Sequence, residues 1–251
     1  MDKRLCNSTH IIILAAGKGS RISNYTKQPK SLLQISNKSI LESNIEKFIN
    51  VGAKNFTLVL GYKDYLFKKI INTYKNNINI KIAKNKNYIT KGNSYSLLLG
   101  LKKANSKCIF LDGDIMIDFK ILKHFLESKK INLALVGKGD ISDKECAKVF
   151  INKHKKIKYM IDKKFAEQDV LVSSKFLGEA VGIIRLDNNY RKKLIFILNK
   201  FLGDKKNLKK NWENPLNIFM SKNNLDYFFT KSNKWIEIDN KQDHFKAKRI
   251  F

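Results

Sequence analysis

Short apolar stretches and helical patterns alternate along the first half of the chain. Stretches of apolar or alternating residues, bounded by turn signals, predict buried strands at Ile11–Leu14, Thr57–Leu60, Ile78–Ala83, Cys108–Leu111 and Leu133–Val136. Apolar residues at helical spacing predict helices over Ile40–Ile49, Tyr95–Leu101 and Ile121–Leu126. This alternation over residues 11–136 predicts an α/β fold, with a mostly parallel twisted central sheet flanked by helices. In such sheets, ligands bind beyond the carboxyl ends of the strands.

The second half of the chain has a less regular pattern. We predict a hairpin near residues 147–161 that begins with a strand at Ala147–Ile151, then a helix at 187–202, late strands at Asp226–Thr230 and Trp235–Ile238, and a closing helix from Gln242. The chain has only two prolines and no linker rich in glycine and serine. We therefore expect residues 1–251 to form a single domain with a β-rich elaboration in its second half.

Composition excludes several classes of protein. With 251 residues and 43% apolar content, the chain can bury a core, and no apolar stretch approaches the ~20 residues that span a bilayer. The segment Met1–His10 lacks the apolar region of a signal peptide. Cys6, Cys108 and Cys146 are odd in number, far apart and in no metal-binding spacing. We expect a reduced, cytoplasmic protein that has no contact with a membrane.

The net charge of +28 raises the alternative of a non-enzymatic basic protein that binds nucleic acid. The 50 basic residues are 45 Lys and only 5 Arg, although Arg is the side chain favoured for forked contacts to phosphate and guanine. The lysines extend from Lys3 to Lys248 without a basic stripe that contains aromatic residues. We therefore expect a solvated, lysine-rich surface and no nucleic-acid partner, and we keep the binding protein as the alternative from a different class.

The sharpest motif is the sequence Leu14-Ala-Ala-Gly-Lys-Gly-Ser-Arg21, which follows the first predicted strand. Gly17 and Gly19 allow the backbone to approach a phosphate chain, and Arg21 and Lys30 add positive charge. The spacing of the glycines does not fit a P-loop, and Ile22 stands where a dinucleotide fingerprint has a small residue.

This motif resembles the N-terminal signature of the sugar-phosphate and choline-phosphate nucleotidyltransferases, in which an A-A-G-x-G-[ST]-R loop is followed by a P-K pair. Three further segments resemble the family in order and approximate spacing: Lys91–Leu97, Leu111–Asp114 and Trp235–Asp239. The resemblance implies a Rossmann-like nucleotidyltransferase fold, with Arg21 and Lys30 as catalytic residues. The nucleotide-binding residues that it implies are Leu14, Ala15, Ala16, Gly17, Gly19, Ser20, Arg21, Lys30, Gly92, Asn93, Ser94 and Asp112.

The resemblance also implies a Mg²⁺ site at Asp114 and Asp239, since Mg²⁺ takes one or two carboxylates together with substrate phosphates and water. Asp112 is a second ligand or a residue that orients the site, and Asp243 is a helix cap or a surface charge. Glu179 lies in a segment that resembles the one facing the acceptor.

Some assignments stay open at this point. Lys148 and Lys164 both occupy plausible positions for a second phosphate-binding lysine, and the sequence does not choose between them. Trp212 and Trp235 form either a cage for a quaternary ammonium or part of the core.

The compact form resembles the small cytidylyltransferases. The implied partners are CTP and a small phosphorylated acceptor, which bind to residues 10–136 and residues 137–251 respectively. The implied products are a CDP-linked metabolite and pyrophosphate. The leading acceptor is L-glutamine phosphate, for capsule polysaccharide biosynthesis. Phosphocholine, phosphoethanolamine and a sugar 1-phosphate with UTP, GTP or dTTP are the alternatives, and the oligomeric state is left open.

Overall fold

The structure is a computed structural model that describes residues 5–251. The first four residues of the segment Met1–His10, which include Lys3, lie outside it. The strands are β1 His10–Ala15, β2 Gln34–Ile35, β3 Lys38–Ser39, β4 Asn55–Leu60, β5 Asn79–Lys84, β6 Cys108–Asp112, β7 Ile115–Ile117, β8 Leu133–Gly137, β9 Lys148–Ile151, β10 Ile157–Ile161, β11 Lys175–Leu186, β12 Asp226–Phe229 and β13 Trp235–Glu237. The α-helices are α1 Ile40–Asn50, α2 Lys68–Tyr74, α3 Asn93–Lys103, α4 Phe119–Glu127, α5 Gln168–Ser173, α6 Asn188–Gly203, α7 Glu213–Met220 and α8 Lys241–Ile250.

A central sheet with helices on both faces confirms the predicted α/β fold. Strands of the first half are paired in the order β6-β1-β4-β5, and each pair is parallel. All six residues of β1 are buried, because the strand has neighbours on both edges and helices over both faces. Successive side chains of β1 therefore enter different cores: Ile11 and Ile13 face one side, and Ile12 and Leu14 face the other.

Each core is closed by its own set of helices. Apolar residues of α1, α2 and α4 pack into one core, and those of α3, α6 and α7 pack into the other. A capping box explains where α1 begins. The Ser39 side chain accepts from the backbone amide of Glu42, and the Glu42 side chain accepts from that of Ser39.

The second half supplies the predicted β-rich elaboration. Strand β11 is antiparallel to β6, β8 and β9, and β9 and β10 form the predicted hairpin. Within residues 5–251, every helix is too short or too polar to cross a lipid bilayer.

Two connections bring distant parts of the chain to the carboxyl end of the parallel strands. Gly113 follows β6 and its backbone amide donates to the carbonyl of Leu14 at 2.9 Å. A Cβ at position 113 would lie 2.6 Å from that carbonyl oxygen, so this close approach requires glycine. Strand β13 then pairs antiparallel with β7, which places Glu237 opposite Ile115. The C-terminal segment therefore lies beside the end of β6.

Candidate active site

The glycine loop leaves β1 at the carboxyl edge of the sheet and folds against Lys30. Gly19 has a φ of 66°, a left-handed conformation that favours glycine, and it precedes a short 3-10 helix at Ser20–Ile22. A Cβ at Gly19 would lie 2.9 Å from Cγ of Lys30. The glycine therefore lets the Lys30 side chain pass directly over the loop.

A cavity of about 260 Å³ lies over this loop. It gathers nine of the predicted nucleotide-binding residues: Leu14, Ala15, Ala16, Gly17, Gly19, Lys30, Gly92, Asn93 and Asp112. Ser20 and Ser94 are not among its lining residues, and the buried Ser94 hydroxyl has no hydrogen-bond partner within residues 5–251. Arg21 lines a second cavity of about 200 Å³ instead. The two cavities share four residues, Lys30, Asn93, Asp112 and Asp114, so they meet at the end of β6.

Three carboxylates converge where the cavities meet. One oxygen atom from each of Asp114, Glu237 and Asp239 lies within 4.8 Å of the other two. The backbone explains this convergence, because β13 pairs with β7 and the amide of Ile238 donates to the carbonyl of Asp114 at 3.0 Å. The structure therefore brings Asp114 and Asp239, both selected from the sequence, to one point and adds Glu237.

Three cationic side chains hold these carboxylates. Lys30 Nζ lies 3.0 Å from Asp114 Oδ2 and 2.6 Å from Asp239 Oδ1. Lys163 Nζ donates to Glu237 Oε1 at 3.0 Å and to Asp239 Oδ2. Arg21 Nη1 lies 2.9 Å from Asp239 Oδ2. Positive charge is therefore already concentrated on this group of acids.

The surroundings of these residues shift the pKa values of Asp239 and Glu237 in opposite directions. Burial raises the pKa of Asp239, but the attraction of Lys30 and hydrogen bonds from Lys163 and Lys30 outweigh this and lower it to about 2. Burial lowers the pKa of Lys30, but Asp114 and Asp239 outweigh this and raise it above its usual value. Burial and the nearby Asp114 charge raise the pKa of Glu237 to about 7. Of Asp239 and Glu237, Asp239 is thus held more firmly in its charged form.

The carboxylates of Asp114, Glu237 and Asp239, which we call the acidic group, fit a divalent cation of the Mg²⁺ type. Its donors are hard carboxylate oxygens that converge on one point, and such a cation uses one or two carboxylates and leaves positions for phosphate and water. The lysine contacts on Asp114 and Asp239 show independently that this point attracts positive charge.

The neighbouring acids Asp112 and Asp243 have different surroundings. The indole Nε1 of Trp212 lies 3.2 Å from both carboxylate oxygens of Asp112. Asp243 Oδ2 accepts from the backbone amides of Asp239 and Asn240, each at 3.1 Å, within the capping box of α8. Asp243 therefore acts as a helix cap, one of the two roles considered from the sequence.

The structure places neither Lys148 nor Lys164 beside the carboxylates of Asp114, Glu237 and Asp239. Lys148 is fully buried, and its Nζ donates to the backbone carbonyls of Asp143 and Cys146. The Lys164 side chain is 65% exposed and lies 3.7 Å from Glu167. Glu179 lines a separate cavity of about 350 Å³ that also touches Glu237 and Asp239. Burial and the charge of Asp143 raise the pKa of Glu179 to about 7.

The tryptophans do not share a cavity wall. Trp212 is 1% exposed and makes an edge contact with Phe110, with ring centroids 5.6 Å apart. It lines the 200 Å³ cavity, whereas Trp235 lines the one that contains Glu179.

Sequence reasoning missed Lys163 and Glu237. Glu237 had a usable signal, because residues two apart in an extended segment lie on the same face, and Asp239 is two positions further. No such signal identifies Lys163. Its neighbour Lys164 is also a lysine, and only the course of the backbone distinguishes the two.

Comparison with known proteins places the chain in a family. Residues 11–138 match the family model described as the MobA-like NTP transferase domain. A bifunctional protein GlmU from Wigglesworthia glossinidia brevipalpis is 29% identical over 201 residues, which cover 79% of this chain and 42% of that protein. The chain thus spans less than half the length of that relative.

Two further relatives have names that refer to cytidylyl transfer. Choline-phosphate cytidylyltransferase from Streptococcus pneumoniae is 24% identical over 240 residues, which cover 95% of this chain and 96% of the relative. CTP:phosphoglutamine cytidylyltransferase from Campylobacter jejuni is 26% identical over 182 residues, which cover 71% and 62% of the two chains.

Solved structures share the fold over nearly the whole chain. The CTP:phosphocholine cytidylyltransferase from Streptococcus pneumoniae superposes with a TM-score of 0.74 at 20% identity, and the match covers 97% of this chain and 99% of the other. The inositol-1-phosphate CTP transferase from T. maritima gives a TM-score of 0.75 at 21% identity, with 97% and 96% covered. The fold is therefore that of the nucleotidyltransferases.

Proposed function

The chain belongs to the MobA-like NTP transferase family, and from that premise we propose that it transfers a cytidylyl group from CTP to a small phosphorylated acceptor. The observation that carries the proposal is the junction of the two cavities at Lys30, Asp112 and Asp114. A nucleotide in the cavity over the glycine loop would present its phosphates to this junction, and the second cavity would hold the acceptor.

The proposed reaction needs no catalytic base. An oxygen of the acceptor phosphate attacks the α-phosphorus of CTP, a new P–O bond forms, and the bond to the departing pyrophosphate breaks. An acceptor phosphate with a second pKa of about 6 is already largely a dianion at pH 7. The work of the site is therefore to position the two substrates and to neutralise their charge.

We assign the neutralising roles to three cations. Arg21, Lys30 and Lys163 line the second cavity and contact the acids at the junction. Charge-assisted contacts from these side chains would hold the phosphates of both substrates as negative charge shifts to the leaving group. Mg²⁺, held by Asp114 and Asp239 with Glu237 beside them, would supply further positive charge at the phosphates.

L-glutamine phosphate remains the leading acceptor from the sequence, and the relative from Campylobacter jejuni supports it at 26% identity. The choline-phosphate enzyme supports phosphocholine with a longer match. The division into a nucleotide-binding part at residues 10–136 and an acceptor-binding part at residues 137–251 belongs to the same proposal, as do a cytoplasmic location and a role in capsule polysaccharide biosynthesis.

A pyrophosphate-release screen tests the proposal. CTP, UTP, GTP and ATP are each combined with phosphocholine, phosphoethanolamine, L-glutamine phosphate and glucose 1-phosphate, with and without Mg²⁺. We expect Mg²⁺-dependent release with CTP and one of the nitrogen-containing acceptors. Release with UTP and glucose 1-phosphate would favour a sugar nucleotidyltransferase. Salt-sensitive binding to mixed-sequence duplex without any pyrophosphate release would favour the nucleic-acid-binding alternative.

A further inference from the structure

The second cavity has an unusual charge for this molecule. The chain carries a net charge of +28, yet the walls of this 200 Å³ cavity contain six carboxylates and three cations. The carboxylates are those of Asp112, Asp114, Asp162, Glu213, Glu237 and Asp239. A wall with twice as many carboxylates as cations is difficult to explain as packing, because a buried carboxylate without a counter-charge is costly.

The cations account for only half of these carboxylates. The salt bridges of Arg21, Lys30 and Lys163 all go to Asp114, Glu237 and Asp239, apart from one between Arg21 and Glu145. The other three carboxylates, which we call the acidic wall, are those of Asp112, Asp162 and Glu213. Among residues 5–251, none of them forms a salt bridge. The acidic wall therefore lacks the ion pairs that the other three carboxylates have.

Glu213 shows this most clearly. The residue is only 7% exposed, it lines the cavity, and its Oε2 atom has no hydrogen-bond partner among the described residues. Burial and the neighbouring carboxylates of Asp162 and Asp112 raise the pKa of Glu213 well above its usual value. Its position as the first residue of α7 lets the helix dipole stabilise one negative charge, but not the other two of the wall.

The partners of the other two wall residues are neutral. Asp112 receives the indole N–H of Trp212, and Asp162 receives the side-chain amide of Asn211. Residues 211–213 are consecutive, so one segment carries both donors and the unpartnered Glu213. Hydroxyl groups of a sugar would satisfy hydrogen bonds here but would supply no counter-charge to the carboxylates. An ammonium group would supply both hydrogen bonds and charge.

We propose that the acidic wall binds a cationic amine of the acceptor, so that the acceptor is a phosphorylated amine and Glu213 determines this specificity. The inference rests on the proposed function, because it assigns the second cavity to the acceptor. Arg21, Lys30 and Lys163 would then hold the phosphate end of the acceptor, and the acidic wall would hold its ammonium end. Phosphocholine, phosphoethanolamine and L-glutamine phosphate all have this chemistry.

Matched pairs of acceptors test the charge requirement. Phosphocholine is compared with 3,3-dimethylbutyl phosphate, and phosphoethanolamine with propyl phosphate, since each pair differs mainly in the cationic nitrogen. L-glutamine phosphate and glucose 1-phosphate complete the panel, and kcat/KM is measured by pyrophosphate release with CTP and Mg²⁺.

We expect kcat/KM for the preferred amine to exceed that for its neutral counterpart by about tenfold or more, equivalent to 1.4 kcal/mol. The best of the three amines then identifies the acceptor. Equal kcat/KM within both pairs, with L-glutamine phosphate no better than these acceptors, would overturn the inference and leave nucleotidyl transfer intact, and so would glucose 1-phosphate as the best acceptor.

A variant of Glu213 tests the residue assignment. We expect Glu213→Gln to reduce the ratio of kcat/KM between the amine and its neutral counterpart towards one. Glu127→Gln is the matched control, because Glu127 is exposed on α4 and pairs with Lys123, and it should keep the wild-type ratio. If Glu213→Gln does not fold, Asp162→Asn provides the same measurement. An unchanged ratio in a folded Glu213→Gln or Asp162→Asn protein would contradict the assignment.

Binding separates this inference from the proposed function. If no acceptor supports pyrophosphate release, the proposed function fails. The shift in melting temperature caused by phosphocholine and by 3,3-dimethylbutyl phosphate, without nucleotide, then tests the acidic wall directly. A larger shift with phosphocholine, lost in Glu213→Gln, would support an amine site, and equal shifts would overturn it.

Discussion

At the scale of single residues, the neighbours Lys163 and Lys164 differ in what they contact. The Lys163 side chain is 18% exposed and joins Glu237 to Asp239, whereas the Lys164 side chain is 65% exposed. We expect Lys163→Ala to lower kcat/KM by roughly 10²-fold, because it removes a charge-assisted contact from a largely buried group of charges. Lys164→Ala should stay near wild type. Steady-state pyrophosphate release measures both, and similar losses in the two variants would contradict the role of Lys163.

The difference between these lysines shows a limit of sequence analysis. Lys163 has a φ of 39°, a left-handed conformation that is uncommon for lysine. Asp162 separates it from the end of β10 at Ile161, and the turn at Lys163 decides which of the two side chains enters the cavity. Residue type could not reveal that choice. The glycine loop and Asp114 were predictable, because the required residue types follow strands that the hydrophobic pattern identifies.

The metal site makes a second prediction at this scale. Asp114→Asn and Asp239→Asn each keep the side-chain shape and remove one negative charge, so each should weaken the binding of Mg²⁺ with nucleotide. If both carboxylates hold one ion, the double variant should be little worse than either single variant. Higher Mg²⁺, or Mn²⁺, should restore part of the activity of each single variant. Fully multiplicative losses in kcat/KM would show that the two residues act independently.

At the scale of elements, the start of α8 positions Asp239. Asn240 caps the helix, and Asp243 accepts from the amides of Asp239 and Asn240. We expect Asp243→Ala to lower the free energy of unfolding by about 1 kcal/mol, as the loss of a helix cap does. Asp243→Asn keeps a side-chain acceptor and should lose less. Urea unfolding measures both effects. A loss of Mg²⁺ dependence in Asp243→Asn but not in Asp239→Asn would mean that the C-terminal ligand is misassigned.

The elements also show which patterns could be recognised in advance. The parallel strands were predicted because each is a continuous apolar or alternating stretch between turn signals. Strand β11 was not, because Gly178 and Gly182 have positive φ and interrupt its alternation. Helix α7 was missed because Pro215 lies inside it. In the structure, Pro215 occupies the first turn, where a backbone N–H has no partner within the helix.

At the scale of the whole molecule, the chain is strongly basic but the second cavity is rich in carboxylates. The chain as a whole has a large positive charge, which would attract two polyanionic substrates, and salt should weaken this attraction. Six of the 22 acidic residues nevertheless line the second cavity. Net charge alone left a nucleic-acid partner as an alternative. The arrangement of the charges, which depends on the pairing of β13 with β7, supports small phosphorylated substrates instead.

The central claim is that the glycine loop and the acidic group at Asp114 and Asp239 together bind CTP. The most direct test is the melting temperature of the protein with CTP, ATP, GTP or UTP, each with and without Mg²⁺. A ligand that binds only the folded state stabilises it by about 2.7 kcal/mol at a hundredfold excess over Kd. We predict that CTP with Mg²⁺ raises the melting temperature most, and that Asp114→Asn reduces this increase. Equal increases with all four nucleotides would contradict the cytidylyltransferase assignment.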